Sequence, residues 1–331
     1  MKDNKDVNSD DHNENENIEI RMLLEAIFLK YGYDFRNYAK ASLKRRINQR
    51  MTLSGLEKIS DMIHNVLYDR LFFDKFLTDL SINVTEMFRD PSFFLSIRNR
   101  VISELRELPY IKVWLAGCST GEEVYSMSIL LTEEKLYEKT RIYATDFSQA
   151  ALNKAKDGIY KLNDMKKYTS NYQHAGGIES FSDYYSTKYD SAIMNQSLKK
   201  NVTFSNHNLV TDGVFGEMNV IVCRNVLIYF NRELQDNVFR LFMDSLCEDG
   251  FLCLGSKETI RLSKYSDNFE DFIKEEKIYK KRMISDQTVD PVPQVERLDG
   301  SVIRKSSVLI SDAIKKLDEL QSLINTVNID R

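Results

Sequence analysis

Cysteine, proline and net charge are all in short supply in this chain, and each shortage excludes something. The four cysteines, Cys118, Cys223, Cys247 and Cys253, show no CxxC spacing and no accompanying histidine cluster, which argues against a structural zinc site. All four sit in apolar or small-residue runs, the setting of reduced core thiols in a cytosolic protein. Two of the four prolines, Pro291 and Pro293, fall in "DQTVDPVPQVERLDGS", so extended breaks are concentrated near one end. A net charge of −4 gives no global attraction to nucleic acid or an anionic membrane, and any basic surface must be local. No apolar run approaches membrane-spanning length, and the opening "MKDNKDVNSDDHNENENIEI" has no apolar h-region. The expectation is a cytoplasmic protein with no nucleic-acid partner and no direct membrane insertion.

What is present is an ordinary globular composition, 42% hydrophobic and 29% charged over 331 residues, enough for two domains with a sizeable core. Residues 1–17 are almost entirely Asp, Asn, Glu and Lys and read as a disordered acidic tail. Over 18–82 there is no proline, and apolar residues recur at helical spacing (Met22, Leu23, Ala26, Ile27; Ile59, Met62, Ile63, Val66, Leu67), which predicts a small helical domain. Within it "YAKASLKRRINQRM" places Lys44, Arg45, Arg46 and Arg50 close together, with Arg46 and Arg50 one turn apart on one face; charge spacing alone fits a solvated face as well as a docking surface. Residues 83–97 form a junction. Over 98–284 the runs "YIKVWLAG", "TRIYATDF", "NVTFS", "MNVIVCRN", "GFLCLGSK" and "EKIYKKR" read as strands, separated by segments of helical spacing. That alternation predicts an α/β fold with an open, mainly parallel sheet and helices on both faces. Between about 161 and 200 the rhythm lapses into Tyr-, Ser- and Asn-rich sequence with Gly176-Gly177, better explained as an inserted subdomain than as a plain loop. A linker over 285–304 leads to 305–331, where Ile310, Ala313, Leu317, Leu320, Ile324 and Val327 alternate steps of three and four. So short an amphipathic helix is marginal alone and needs the body or a partner helix to dock on.

In a doubly wound sheet, ligands collect at the carboxyl ends of the strands. Four polar clusters fall there. "VWLAGCSTGEEVYSM" turns acidic where a helix should start; a phosphate cradle would want a Lys or Arg, whereas Glu122 and Glu123 repel a pyrophosphate, so the ligand expected is not a polyphosphate. Asp146, 25 positions after Gly121, stands near the place of an acidic ribose ligand, with helix capping as the alternative. Asn208 and Leu209 follow "NVTFS", and Arg224, Asn225 and Tyr229 follow "NVIVC".

These fragments, "RRINQRM", "INVTEMFRDPSFF", "STGEEVYSM", "ATDFSQAALNKAKDGIY", "FSNHNLV" and "CRNVLIYFN", resemble in order and spacing the CheR-type protein-glutamate methyltransferases, from about Ile18 to about Arg282. The resemblance implies S-adenosylmethionine as cofactor and glutamate side chains of a methyl-accepting chemoreceptor, or similar signalling protein with acidic helices, as methyl acceptor. It implies an all-helical N-terminal domain, a Rossmann-like S-adenosylmethionine-dependent methyltransferase sheet and an inserted small β-subdomain at about 161–200. It assigns cofactor contacts to Asn83, Thr85, Arg89, Glu123, Asp146, Asn208, Leu209, Arg224, Asn225 and Val226. A sulfonium and an ammonium on the ligand would explain the acidic turn. Arg89 and Tyr229 are the candidates to orient the acceptor oxygen, Tyr229 having a core aromatic as its alternative, and Lys44, Arg45, Arg46 and Arg50 would dock the receptor. Val124 and Met87 stand where the family usually has Pro and an aromatic. Transfer to another acceptor, and a non-catalytic adenosylmethionine-binding scaffold, are the competing readings.

Overall fold

The computed structural model describes residues 6–31, 33–38, 40–80 and 85–282. Asn83, the 285–304 linker and the 305–331 helix lie outside the described residues.

Four helices form the N-terminal domain: α1 (Asp6–Tyr31), α2 (Lys40–Leu53), α3 (Ile59–Tyr68) and α4 (Arg70–Leu80). Their buried stripes, Leu23 and Ile27 of α1, Leu43 and Ile47 of α2, Met62 and Val66 of α3, Phe73 and Phe76 of α4, close one core, as i, i+3 and i, i+4 spacing allows. Helix α1 reaches back to Asp6, into the stretch that composition assigns to a disordered tail. Within it Glu16 has partners on α2, an ion pair with Lys44 at 2.8 Å and a hydrogen bond from Asn48 at 3.2 Å.

After α5 (Pro91–Ser96), a π turn and α6 (Ile102–Arg106), the chain alternates strand and helix: β1 (Ile111–Ala116), α7 (Glu122–Glu133), β2 (Thr140–Asp146), α8 (Gln149–Asp157). A small antiparallel sheet then intervenes, β3 (Ile159–Lys161), β4 (Tyr185–Lys188) and β5 (Ser191–Met194) in the order β3-β5-β4, with α9 (Met165–His174) beside it. It begins at Ile159, slightly ahead of the expected 161. The main sheet resumes with β6 (Val202–Asn206), β7 (Met218–Cys223), α10 (Arg232–Ser245), β8 (Leu246–Leu254), β9 (Phe269–Ile273) and β10 (Ile278–Lys281).

The seven-stranded order is β6-β2-β1-β7-β8-β10-β9. The first five are parallel, and β10 and β9 add antiparallel pairings at one edge. Both faces are covered, which is why these strands read as continuous apolar runs. Val113 and Leu115 of β1 pack with Val220 and Val222 of β7 in one core; Trp114 and Ala116 pack with Ile221 and Cys223 in the other. The strand pair β1·β7 is the point at which connections leave in both directions, and the carboxyl ends of β1, β2, β6 and β7 open there.

The helical domain is anchored beside that opening. Tyr38 forms a β-bridge with Phe230, their rings 4.9 Å apart, and Asn231 N–H donates to Asn37 O at 2.8 Å.

Candidate active site

The walls of the cleft are strand ends, and the turns after β1 and β7 carry residues at positive φ. Past β1 the chain turns through Gly117 (φ +79°), Ser119 (φ +50°) and Gly121 (φ +92°). Gly117 and Cys118 N–H both donate to Thr145 O, at 2.8 and 2.9 Å, so the turn is pinned to the end of β2. A Cβ at Gly117 would stand 2.5 Å from Val226 Cγ2; only glycine lets the turns after β1 and β7 touch.

Asp146 ends β2 as a buried carboxylate. Ser119 N–H donates to its Oδ2 at 2.9 Å and Ser148 N–H to its Oδ1 at 2.8 Å. Burial pushes its pKa up, and the backbone donors oppose that. It is not the cap of α8: Ser148 is, accepting from Ala151 N–H at 3.3 Å. Each carboxylate oxygen still has a lone pair to offer a ligand.

Past β6, Asn208 Oδ1 accepts from Val210 N–H at 3.0 Å and Asn208 N–H donates to Asp212 at 2.9 Å, so its side chain shapes its own loop. Past β7 comes Arg224, whose side chain is only 3% exposed. It donates to Glu123 Oε1 at 2.8 Å, Asp90 Oδ2 at 2.6 Å and Arg89 O at 3.2 Å, and lies 4.0 Å over the Phe93 ring. One guanidinium therefore joins β7, the N-terminus of α7 and the 85–90 junction. Glu123 already has a cationic partner before any ligand is considered. Asn225 follows at φ +60°, then a 3-10 turn over Leu227–Tyr229.

The junction is itself wound tightly, with Phe88 and Asp90 at positive φ. Phe88 N–H donates to Ser126 Oγ at 2.8 Å, and Phe88, Phe93 and Phe94 are buried. Met87 and Val124, the two apolar departures, are both fully buried, consistent with packing roles.

These ends line an open cleft whose empty space, about 950 Å³, includes solvent at its mouth. Every described candidate lines it: Thr85, Arg89, Glu123, Asp146, Asn208, Leu209, Arg224, Asn225, Val226 and Tyr229. Ser119, Phe147 and His207, which sit inside the fragments that carry the resemblance, line it too, as do Tyr38 and Leu80, which carry no local sequence signal because the segments that present them reach the cleft only in the fold.

The basic stretch of α2 is arranged differently from an open docking face. Arg46 and Arg50 do share a side, but it turns inward toward α4. Arg46 is 5% exposed, donates to Leu80 O and lies 4.8 Å from the Tyr229 ring centroid. Arg50 pairs with Asp79 and Lys44 with Glu16; of the four, Arg45 alone is exposed. Burial raises the Tyr229 pKa, and Arg46 opposes the rise. No helix among the described residues is long and apolar enough to cross a membrane.

Residues 83–277 match the family model described as CheR methyltransferase, SAM binding domain, and residues 18–81 match that described as CheR methyltransferase, all-alpha domain. A putative methyltransferase Cher3 of Pseudomonas putida is 54% identical over 267 residues, covering 81% of this chain and 98% of that protein. A chemotaxis protein methyltransferase of Listeria monocytogenes is 29% identical over 231 residues, 69% of this chain and 85% of that one, and one of Salmonella typhimurium is 26% identical over 262 residues, 77% and 85%. Two matching domains in the order the architecture displays, around a cleft at the carboxyl ends of β1, β2, β6 and β7, lead to one conclusion: this chain belongs to the CheR family of S-adenosylmethionine-dependent methyltransferases.

Proposed function

We propose that the enzyme methylates glutamate side chains of a cytoplasmic chemoreceptor domain, or of a similar signalling protein with acidic helices, forming methyl esters. The relatives named chemotaxis protein methyltransferase support this acceptor class. The observation that carries it is the buried Arg46 guanidinium 4.8 Å from the ring centroid of Tyr229, which with Arg89 lines the cleft. Positive charge beside a phenol suits an incoming carboxylate, whereas a neutral amine or hydroxyl acceptor would call for a general base.

The residues present fit the cofactor. The turn at Gly117 has no room for a side chain, Glu123 offers a carboxylate to an ammonium, and Asp146 offers two oxygens to a ribose diol. S-adenosylmethionine, when bound, supplies the electrophilic methyl group. In this reading Thr85, Asn208, Leu209, Asn225 and Val226 complete its pocket, as does Asn83 from outside the described residues, and Arg224 acts by holding Glu123. A glutamate with a pKa near about 4.3 is already ionised at neutral pH, so the protein has no proton to remove. Arg89 and Tyr229 orient one acceptor oxygen in line with the methyl carbon and keep water away, and rate comes from alignment and electrostatics. Arg45 remains exposed on α2 to meet an acidic receptor helix, while Lys44 is paired with Glu16.

Incubation with methyl-labelled S-adenosylmethionine and receptor cytoplasmic domains tests the reading. Label released as methanol in mild base is expected. Label stable to base, or no label on any acidic receptor helix, would remove the carboxylate acceptor.

A further inference from the structure

Glu258 lies outside the cleft lining, yet it is the single acceptor beneath the turn that carries most of the β7 side of the site. It is 5% exposed. Its Oε1 accepts from Val226, Leu227 and Ile228 N–H at 2.9, 2.7 and 3.3 Å; its Oε2 accepts from Asn225 and Gly255 N–H at 2.9 and 2.6 Å. Four consecutive amides of one turn thus converge on one carboxylate from 30 or more residues away, a backbone nest filled by a side chain of the protein itself. The turn needs such an anchor: Asn225 is at φ +60°, a region that a non-glycine residue occupies only when its surroundings hold it there. The loop after β8 is shaped to admit the carboxylate, since a Cβ at Gly255 would stand 2.7 Å from Glu258 Oε2 and 2.9 Å from Asn225 N.

We propose that Glu258 is a positioning residue for cofactor binding, its ionised carboxylate fixing the 225–228 turn so that Asn225, Val226 and Tyr229 face the cleft. The proposal rests on the reading of Asn225 and Val226 as cofactor contacts. Glutamine has the same shape but one acceptor oxygen, so it must turn an NH2 group toward N–H donors that Oε2 or Oε1 now satisfies. A carboxylate also accepts hydrogen bonds about twice as strongly as a neutral amide. Burial raises the Glu258 pKa against the pull of these donors, which is the strain expected of a charge kept in the interior for the bonds it makes.

The test uses the full chain, Glu258→Gln, S-adenosylhomocysteine as probe, and hydrogen exchange of the 225–228 amides. Expected are amide exchange at least about tenfold faster and a Kd at least about tenfold higher, in a protein whose unfolding midpoint stays within a few degrees of wild type. A merely structural role would lower the midpoint and leave the Kd alone. Unchanged exchange with unchanged Kd overturns the proposal but leaves the cofactor contacts standing. Faster exchange with unchanged Kd overturns the proposal together with the assignment of Asn225 and Val226. Should the variant not fold, the wild-type chain decides: protection of these four amides equal to that of the β7 amides supports the anchor, and exchange near the unprotected rate overturns it.

Discussion

Arg224 and Glu123, 101 residues apart in the chain, meet at 2.8 Å across the floor of the cleft. The ion pair explains how an acidic helix start can coexist with a folded, largely buried site. The glutamate is held in one orientation by a guanidinium that is itself held by Asp90 and the Phe93 ring. Removing the arginine leaves two carboxylates without their cation, whereas neutralising the glutamate leaves Arg224 still paired with Asp90. Arg224→Ala is therefore expected to lower stability by about 3 kcal/mol or more and to weaken S-adenosylhomocysteine binding. Glu123→Gln should weaken binding with the smaller stability loss. Urea unfolding and titration calorimetry on both variants decide it; an Arg224→Ala protein with wild-type affinity would show that Glu123 needs no orientation.

Asp146 has two structural duties, to Ser119 and to Ser148, in addition to its proposed ribose contact. Asp146→Ala should weaken cofactor binding by about 1.5–3 kcal/mol, the range for hydrogen bonds to a charged group, and should also loosen the turn after β1. The binding loss must exceed what the stability loss explains, so calorimetry has to be run well below the unfolding midpoint. A folded variant with an unchanged dissociation constant would reduce Asp146 to a pin between two loops.

Most of the fold was legible because its strongest signals are local. A strand buried on both faces is an apolar run, and a helix start is a cap, whichever protein holds them. The strand β9, "FEDFI", was not legible: at the sheet edge only Phe269 and Ile273 are fully buried, and the adjacent Glu270 and Asp271 look like loop. The cleft candidates were visible because each follows a strand. The residues that hold them were not. Nothing near Glu258 announces that its carboxylate serves a turn some thirty residues earlier, and nothing near Glu123 names Arg224. The direction of the α2 face was likewise hidden, since spacing tells which side chains share a face but not whether that face meets water or α4. Helix α1 extends into the polar tail because Lys44 and Asn48 of α2 give Glu16 partners that composition cannot display.

Glu122, next to the paired Glu123, is buried beside Thr120, whose hydroxyl donates to it at 2.7 Å. Burial pushes its pKa up to about 7, and the Thr120 hydrogen bond only partly opposes this. The unfolded chain releases this proton near the ordinary carboxylate value, so between roughly pH 4.5 and 7 the folded state binds a proton that the unfolded state does not. Stability from this group therefore falls as pH rises through that window, and the full cost is present above the folded pKa. Glu122→Gln removes the cost. It should stabilise the protein by up to about 3 kcal/mol at pH 8 and by much less at pH 5, read as the difference in urea midpoints between variant and wild type. An equal difference at both values would mean that the carboxyl titrates normally.

The basic helix separates two roles that its sequence spacing merges. Arg46 is buried against Leu80 and Tyr229, so Arg46→Glu places an uncompensated negative charge in the interior, where it costs several kcal/mol, and removes the cation beside the proposed acceptor position. Its expected signature is a lower unfolding midpoint and, in whatever protein remains folded, a fall in kcat. Arg45 is exposed on the other side of α2, where a charge reversal should leave the fold and the cofactor affinity alone. If an acidic receptor helix docks there, Arg45→Glu raises the KM for receptor severalfold at low salt, and the difference from wild type shrinks as ionic strength approaches a Debye length of about 8 Å. Steady-state kinetics over a salt series reads both arms. A receptor KM that Arg45→Glu leaves untouched at every salt concentration would move the docking surface off α2, and an Arg46→Glu enzyme with normal kcat would remove the guanidinium from the acceptor site.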